Sequence, residues 1–115
     1  MNVFRRILTL VCFLSLASSF AFAQLDRGSL SGTVTDANGA ILAGAKVNAK
    51  NDRTGFSLQT VATSAGLYVF PGLEPGIYTV TFEQAGFKKL TRSNVMIAVG
   101  NRTVTDVQLE VGDVS

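Results

Sequence analysis

The clearest structural signal in the sequence is a turn followed by a strand, in the stretch Leu73-Glu74-Pro75-Gly76-Ile77-Tyr78-Thr79-Val80. Pro75 presets φ for the first central position of a turn, and Gly76 supplies the positive φ that a type II turn requires at the second. After the turn, apolar and polar residues alternate, which is the pattern of a strand with one buried face. We therefore predict a sharp turn that leads directly into a strand.

Tyr78 falls on the inward phase of this strand, so its ring should join the core while its hydroxyl reaches the backbone just upstream. This placement resembles the tyrosine corner of Greek-key sandwiches, in which the hydroxyl hydrogen-bonds the main chain a few residues back. The functional alternative is that Tyr78 contacts a ligand. We expect the structural role, with Pro75, Gly76 and Tyr78 acting together.

The same alternation recurs in short runs along the chain, separated by clusters of Gly, Asn, Asp and Pro. A third run begins at Phe56 and continues to about Thr63, and no run sustains helical spacing beyond the N-terminal segment. Val104 is out of phase with the last run, which predicts a bulge near Thr105 or a cap on the sheet edge. The residues expected to face inward are Leu30, Gly32, Val34, Ala45, Val47, Ala49, Phe56, Leu58, Tyr68, Phe70, Tyr78, Val80, Phe82, Phe87, Leu90, Val95, Ile97, Val99, Val107, Leu109 and Val111.

These runs predict an all-β fold, an antiparallel Greek-key β-sandwich of about seven or eight short strands joined by tight turns. Gly39, Gly66 and Gly86 are predicted structural turn residues, in addition to Pro75 and Gly76. The sixth run, from Phe87 to Leu90, is expected to be a separate edge strand before a seventh at Val95, Ile97 and Val99. Charges on alternate positions would keep that edge from pairing with other chains; they are Lys88, Lys89 and Arg92.

The N-terminal segment has the pattern of a secretory signal peptide. Arg5 and Arg6 form its charged region, residues 7–20 its apolar core, and Ala21-Phe22-Ala23 a small-x-small cleavage site before Gln24. The alternative is a retained membrane helix, for which the apolar stretch is marginal against the ~20 residues that a bilayer span needs. We predict cleavage after Ala23, which divides the chain into a signal peptide at 1–23 and one β-sandwich domain at 24–115.

The formal charge of +2 is confined to the signal segment, because all 8 acidic residues and all but two of the 10 basic ones lie beyond Ala23. Phosphate backbones are bound by clustered Lys and Arg, so a neutral domain argues against nucleic-acid binding. The sequence has no His, and its single cysteine, Cys12, lies in the signal segment. The usual general base and thiol nucleophile are therefore missing from the domain, and we expect neither an enzyme nor a cofactor.

A metal site is not expected either. Asp36-Ala37-Asn38-Gly39 superficially resembles a calcium loop. It lacks the further oxygen ligands and the closing Glu of an EF-hand. Asp and Asn are ordinary turn formers at these positions, so we interpret the segment as a turn.

Several segments together resemble the carboxypeptidase regulatory-like domain, a transthyretin-like β-sandwich related to the collagen-adhesin B-type repeats. The similarity extends from about Gly28 to Gly112, which is almost the whole of the predicted domain. Each segment alone would be weak, but together they are specific. They are Gly32-Thr33-Val34-Thr35-Asp36, Asn38-Gly39-Ala40, Gly44-Ala45-Lys46-Val47, Thr54-Gly55, residues 63–70, residues 73–80, Gly86-Phe87 and residues 107–112.

The resemblance implies an exported, non-catalytic module, associated with the periplasm and outer membrane or secreted. In bacteria, such a domain directly after a signal peptide commonly precedes the plug and barrel of a TonB-dependent, Oar-like outer-membrane receptor. The resemblance therefore implies that this chain is a fragment, or the front, of a longer protein whose other domains are its partners. The alternative is a free-standing secreted β-sandwich.

The resemblance also implies a shape shared with carbohydrate-binding folds, so a carbohydrate-binding module is a further alternative. Sugar platforms use exposed aromatic rings, and this sequence has no Trp. Phe56, beside Gly55, and Phe87, beside Gly86, are the aromatic residues placed near strand ends. We expect each to pack into the core, with a shared ligand or docking surface as the alternative.

Overall fold

The computed structural model describes residues 2–17 and 26–112, and the predicted cleavage site at Ala21, Ala23 and Gln24 lies outside these ranges. A helix, α1, spans Asn2–Ala17. Period-two patterning beyond it produces eight strands. Their bounds are β1 Gly28–Asp36, β2 Lys46–Asn51, β3 Ser57–Val61, β4 Leu67–Leu73, β5 Gly76–Glu83, β6 Leu90–Ile97, β7 Arg102–Val104 and β8 Val107–Leu109.

The strands form two four-stranded sheets. In the first sheet, β1 lies between β4 on one side and the two short strands β7 and β8 on the other. The second sheet has the order β3-β2-β5-β6, with antiparallel neighbours throughout. This arrangement confirms the predicted β-sandwich.

The core lies between the two sheets and consists of the inward-facing residues of nearly every strand. Its largest fully buried rings are Tyr68 and Phe82, which meet edge to face with centroids 5.3 Å apart. Offset and edge-on ring packing of this kind adds to the free energy gained from burial. The buried apolar residues are Leu30, Val34, Ala45, Val47, Ala49, Ala62, Tyr68, Phe70, Leu73, Tyr78, Val80, Phe82, Val95, Ile97, Val107 and Leu109.

β7 and β8 pair with β1 in parallel, which the sequence pattern did not indicate. The chain leaves the ladder between them, where the Thr105 amide donates to the Ser31 carbonyl at 2.8 Å. Asp106 then accepts from the Thr33 amide at 2.9 Å through its carboxylate, in place of a backbone carbonyl. The register with β1 is the same on both sides of this interruption, since Ser29 pairs with Arg102 and Val34 with Val107, each 73 positions away. The bulge predicted near Thr105 was therefore wrong, and Val104 is exposed on β7 at the edge of the sheet.

The predicted sixth and seventh strands are one continuous strand, β6, and the separation expected between them was wrong. Asn94 has a φ of 59°, and the register with β5 shifts at this point. Two residues of β6, Ser93 and Asn94, lie opposite Thr79, which is the geometry of a β-bulge. The bulge lets a single strand change the phase of its inward residues.

Two valines predicted to face inward are exposed instead. Val99 is 54% exposed because it lies in the turn after β6, and Val111 is 74% exposed because it follows the end of β8. Val111 makes only an isolated antiparallel bridge with Phe87. Period-two patterning does not extend past the last backbone pair of a strand, so these positions were assigned wrongly.

Candidate functional site

Tyr78 is buried at the start of β5, and its hydroxyl donates to the backbone carbonyl of Glu74 at 2.7 Å. This is the contact that a tyrosine corner requires. Gly76 has a φ of 153°, which is far from the ~80° of the second central residue in a type II turn. The turn expected at Pro75 and Gly76 therefore has a more open geometry than the sequence predicted. A side chain at position 76 would also meet Asn51, since a Cβ there would lie 3.2 Å from Asn51 Nδ2.

Asn51 is a structural residue that sequence reasoning interpreted only as part of a turn. Its side chain is 2% exposed, at the end of β2. Asn51 Oδ1 accepts from the amides of Arg53 at 3.0 Å and Thr54 at 3.1 Å. A buried amide is stable only when its polar atoms are paired, so this side chain holds the β2–β3 hairpin in place. Its position directly before Asp-Arg-Thr-Gly is a typical Asx-turn signal that could have identified it.

Three glycines predicted to be structural lie in turns with positive φ: Gly39 at 83°, Gly66 at 76° and Gly86 at 86°. Gly66 is also confined sterically, because a Cβ there would lie 2.6 Å from Ile41 Cγ2. In the turn that ends at Gly39, Asp36 Oδ1 accepts from the amides of Asn38 and Ala40, both at 2.9 Å. This carboxylate stabilises the turn.

In residues 2–17 and 26–112, no group of three or more His, Cys, Asp or Glu side chains converges as a metal site would require.

Tyr68 is the second buried tyrosine, and its hydroxyl donates to the Thr105 carbonyl between β7 and β8. Burial raises the pKa of Tyr68 well above its ordinary value near 10, and the nearby Asp106 carboxylate raises it further. Both effects disfavour the phenolate, the first by desolvation and the second by charge repulsion. Tyr68 therefore remains a neutral hydrogen-bond donor that ties β4 to the β7–β8 segment.

Phe56 and Phe87 do not form a joint surface. β2 pairs Lys46 with Glu83 at one end of the second sheet and Asn51 with Tyr78 at the other. Phe56 lies beside Asn51, to which its carbonyl is hydrogen-bonded, whereas Phe87 follows Glu83 after a turn. The two rings are therefore at opposite ends of the sheet, and the shared docking surface considered for them is wrong.

The core position expected for Phe56 is also wrong, because its side chain is 62% exposed. Phe56 belongs to the hairpin turn between β2 and β3, and it lines a cleft of about 140 Å³ with Leu58 and Leu73. Phe87, in contrast, is half-buried and packs against the core, with its remaining surface in a larger cavity. The exposed Phe56 ring and the half-buried Phe87 ring therefore line two separate cavities.

The cavity at Phe87 shares three lining residues with a second one on the outer face of the second sheet, and we call the two together the polar groove. Their volumes are about 450 and 240 Å³, and both are lined by Lys46, Glu83 and Lys89. Lys89 Nζ lies 3.3 Å from Glu83 Oε1. The remaining lining residues are Gly44, Gln84, Ala85 and Phe87 in the first cavity and Asn48, Gln59 and Thr81 in the second.

The polar groove presents three amides, a hydroxyl, two ammonium groups and a carboxylate beside one aromatic ring. Such a set can hydrogen-bond a hydroxylated ligand while the ring covers an apolar face of it. The pattern of β2, in which Lys46, Asn48 and Lys50 alternate with buried residues, places two of these groups on the outer face. The sequence identified Phe87 but not the set of polar residues around it, which come from β2, β3 and β5 and from the segment between β5 and β6.

Residues 29–110 match the carboxypeptidase regulatory-like domain. The chain belongs to this family. The residues that match the carboxypeptidase regulatory-like domain include nearly all residues of both sheets, the corner at Tyr78 and the lining of the polar groove. No curated protein matches the chain. In the described part of the chain, α1 included, no helix has the length and hydrophobicity needed to cross a membrane.

Solved structures with the same fold come from several bacteria. The TIE protein of Bacillus anthracis has a TM-score of 0.64 and 22% identity over 75% of this chain and 17% of its own length. The minor pilin GBS52 of Streptococcus agalactiae has a TM-score of 0.61 and 14% identity over 79% of this chain and 47% of its own. A proposed carbohydrate binding protein of Bacteroides uniformis has a TM-score of 0.58 and 18% identity over 70% of this chain and 40% of its own.

These similarities establish the fold of the carboxypeptidase regulatory-like domain and nothing about its activity. Catechol 1,2-dioxygenase of Acinetobacter radioresistens shares the fold as well, at 15% identity. One architecture thus occurs in a pilin, an enzyme and a proposed sugar binder, so function has to be argued from the residues of this chain. The chain also spans only about a sixth to about half of the length of these proteins.

Proposed function

We propose that this chain is an exported, non-catalytic interaction module, the N-terminal accessory domain of an outer-membrane TonB-dependent receptor-like protein. The observation that carries the proposal is membership of the carboxypeptidase regulatory-like family over residues 29–110. Its polar side chains support a structural role, because Asp36, Asn51 and Asp106 accept hydrogen bonds from backbone amides of turns and strands. Carboxylates and amides used in this way stabilise loops and are not free for chemistry.

Attachment to further domains is supported by the solved structures of the same fold. In each of those described above, the matching part is a fraction of a longer chain, between 17% and 54%. A domain of this size with two open sheet faces can contact neighbours without losing its own core. The other domains of the same protein are therefore the proposed partners.

Export is supported by the N-terminal helix. α1 exposes apolar side chains on both sides of Arg5 and Arg6, which include Val3 and Phe4 before them and Phe13 after them. Apolar side chains without a packing partner are unfavourable in water, whereas a signal peptide needs a charged start followed by an apolar core. We propose that residues 1–23 are removed during transfer to the periplasm.

Processing can be tested by expressing the chain in a Gram-negative host and measuring the intact mass of the periplasmic product. We expect a chain that begins at Gln24. The double variant Arg5→Glu, Arg6→Glu should leave uncleaved chain in the cytoplasm, because the charged start is lost. Arg27→Glu, which lies beyond the proposed site, is the matched control and should be processed normally. Retention of residues 1–23 in the wild-type product would overturn the export proposal.

The receptor context needs a separate experiment. An antibody raised against the sandwich should detect, in the outer-membrane fraction of the source cells, a protein of receptor size. Sequencing the reading frame beyond Ser115 should then reveal a plug and a barrel. A product with the size of residues 24–115 alone, found in the periplasm or medium, would overturn this context and favour a free-standing secreted sandwich.

The polar groove favours carbohydrate binding as a second candidate function. Its amides, ammonium groups and Phe87 ring form the combination that hydrogen-bonds and covers a sugar. A titration with a panel of oligosaccharides, followed by backbone NMR, should shift the amides of Lys46, Asn48 and Phe87. Phe87→Ala should abolish the shifts, and Phe56→Ala, at the opposite end of the sheet, should not. An unperturbed spectrum across the panel would exclude this function.

A further inference from the structure

The edge formed by β3 differs from the other sheet edges of the described sandwich. Open edges pair readily with other strands, so proteins protect them with charges, prolines, bulges or interruptions. At the opposite edge of the same sheet, β6 carries Arg92 and the bulge at Asn94, and Lys88 and Lys89 directly precede it. Strand addition at β6 is therefore obstructed.

The edges of the first sheet are obstructed as well. β4 contains Pro71, which has no amide hydrogen to donate to an incoming strand. On the other side of β1, β7 and β8 have only three residues each and are interrupted at Thr105 and Asp106. β4 pairs regularly with β1 only over its four residues before Pro71, and neither edge offers the five-residue regular run of β3.

β3, in contrast, is uncharged, free of proline and regular. Its sequence is Ser57-Leu58-Gln59-Thr60-Val61, and all five residues pair with β2 without a register shift. None of the four protective features of an exposed edge is present. β3 is therefore the edge most open to a further strand.

The hydrogen bonds at its ends show which backbone groups face outward. The Asn51 amide donates to the Phe56 carbonyl at 2.8 Å, and the Ala62 amide donates to the Ala45 carbonyl at 2.8 Å. Antiparallel ladders alternate, so the even-numbered residues of this strand face β2 and the odd-numbered ones face away. The amides and carbonyls of Ser57, Gln59 and Val61 consequently point to the open edge.

The side chains next to this edge are apolar and exposed. Phe56 is 62% and Leu58 38% exposed, although both belong to the inward phase of the strand. They line the cleft of about 140 Å³ between β3 and the end of β4, together with Leu73 and Tyr78, and the charged Arg27 and Glu74 line it as well. A strand added to β3 would carry alternate side chains over this cleft and remove both residues from water.

We propose that β3 pairs antiparallel with β3 of a second copy of this chain, around a two-fold axis at Gln59. The outward-facing residues are symmetric about Gln59, so Ser57 meets the second copy's Val61 and Gln59 meets its equivalent. Three residues that each donate and accept give a ladder of about six hydrogen bonds. Such an interface is isologous, the same patch being used on both copies.

Charge supports a second copy as the occupant. β3 has no charged side chain, so two copies meet without repulsion in the new ladder. The nearest cations in that row are Lys46 of one copy and Lys50 of the other, on the neighbouring β2 strands. Three strand spacings separate them, about 14 Å. This exceeds the screening length of ~8 Å at physiological ionic strength.

On the inward face, Phe56 would lie opposite Ala62 and Leu58 opposite Thr60, which covers the exposed side of the core.

The test uses analytical ultracentrifugation of the purified chain over a range of concentrations. Gln59→Lys places two ammonium groups face to face on the axis, and like charges directly opposite destabilise a strand pair. We expect dimerisation to weaken at least ~10-fold, equivalent to ~1.4 kcal/mol. Thr91→Lys is the matched control, because Gln59, Asn48, Thr81 and Thr91 form one row across the sheet and Thr91 lies at the other edge. It should dimerise as the wild type does.

A second measurement keeps the proposal falsifiable if Gln59→Lys alters the fold. Mixing Gln59→Lys with Gln59→Glu should restore dimers, since opposite charges then meet on the axis. Hydrogen exchange should slow at the amides of Ser57, Gln59 and Val61 as the concentration rises. A monomer at every concentration, dimers insensitive to Gln59→Lys, or protection of β6 in place of β3 would each overturn the proposal. If the chain stays monomeric and binds an extended apolar peptide at β3, the occupant of this edge is a foreign strand and the proposed second copy is wrong.

Discussion

The backbone of Thr105 lies directly against Gly32. A Cβ on Gly32 would come within 2.0 Å of the Thr105 carbonyl oxygen and 2.9 Å of Tyr68 Cε1. Thr105 occupies the interruption between β7 and β8, and its carbonyl accepts from the Tyr68 hydroxyl. The absence of a side chain on Gly32 thus allows the parallel pairing of both short strands with β1.

We expect Gly32→Ala to destabilise the domain by about 3 kcal/mol or more, the upper part of the range for overpacked interiors. The obstructing atom belongs to the backbone, so it cannot move aside as a flexible side chain would. Chemical denaturation, monitored by circular dichroism, measures the change. The matched control is Gly72→Ala in β4, whose Cβ would meet only Arg27 Cδ at 3.3 Å. Equal midpoints for the two variants would contradict this account of Gly32.

The local features of this fold could be predicted from the sequence because they depend on neighbouring residues. Alternation alone identifies the inward faces of β1, β2 and β5, along which buried and more exposed residues alternate. The contact between Tyr78 and Glu74 was also accessible, since the two residues are four positions apart. Patterns with a short range in sequence contain this information directly.

The pairing of β8, the surroundings of Phe56 and the polar groove were missed because they depend on residues far apart in sequence. The parallel pairing of β8 requires Asp106 to reach the Thr33 amide 73 positions away, and no local pattern indicates such a contact. Phe56 lines a cleft with Leu73 of β4, which belongs to the other sheet, and the alternation along β3 does not indicate this neighbour. The polar groove likewise combines side chains of three strands. Tertiary arrangement, unlike strand phase, cannot be derived from alternation.

The hydrogen bond from Tyr78 to Glu74 predicts a modest loss of stability in Tyr78→Phe. We expect the free energy of unfolding to fall by about 0.5 to 1.5 kcal/mol, the net contribution of one hydrogen bond. The ring itself stays buried, so the spectrum of the folded state should not change. Urea denaturation gives the value, and Ile77→Val, at an exposed neighbouring position, serves as the control. A midpoint identical to that of the wild type would remove the tyrosine-corner assignment.

The raised pKa of Tyr68 predicts a loss of stability at alkaline pH. The unfolded chain releases the phenol proton near pH 10, whereas the folded chain retains it, so the unfolded state binds fewer protons above that pH. The free energy of unfolding should then fall by up to ~1.4 kcal/mol for each pH unit above 10. Below pH 10 this contribution is fully present and constant.

Comparison with Tyr68→Phe isolates the effect, because other groups that titrate above pH 10 are common to both proteins. The difference in unfolding free energy between wild type and variant should be constant up to about pH 9 and should decline above pH 10. Denaturant titrations at several pH values provide the measurement. Curves that remain parallel through this range would show that Tyr68 ionises equally in both states.

The bulge in β6 predicts an asymmetric response at Asn94, whose φ of 59° lies in the left-handed region. Asn tolerates this conformation, Gly adopts it without steric cost, and other residues are disfavoured by roughly 1 to 2 kcal/mol. We therefore expect Asn94→Gly to keep or slightly raise the stability and Asn94→Ala to lower it by about 1 kcal/mol. Ser93→Ala, at the adjacent exposed position of the same bulge, is the control and should have little effect. Thermal unfolding of the three variants measures these differences in stability. A destabilised Asn94→Gly would contradict the prediction, because the Asn side chain and not its backbone conformation would then hold the bulge.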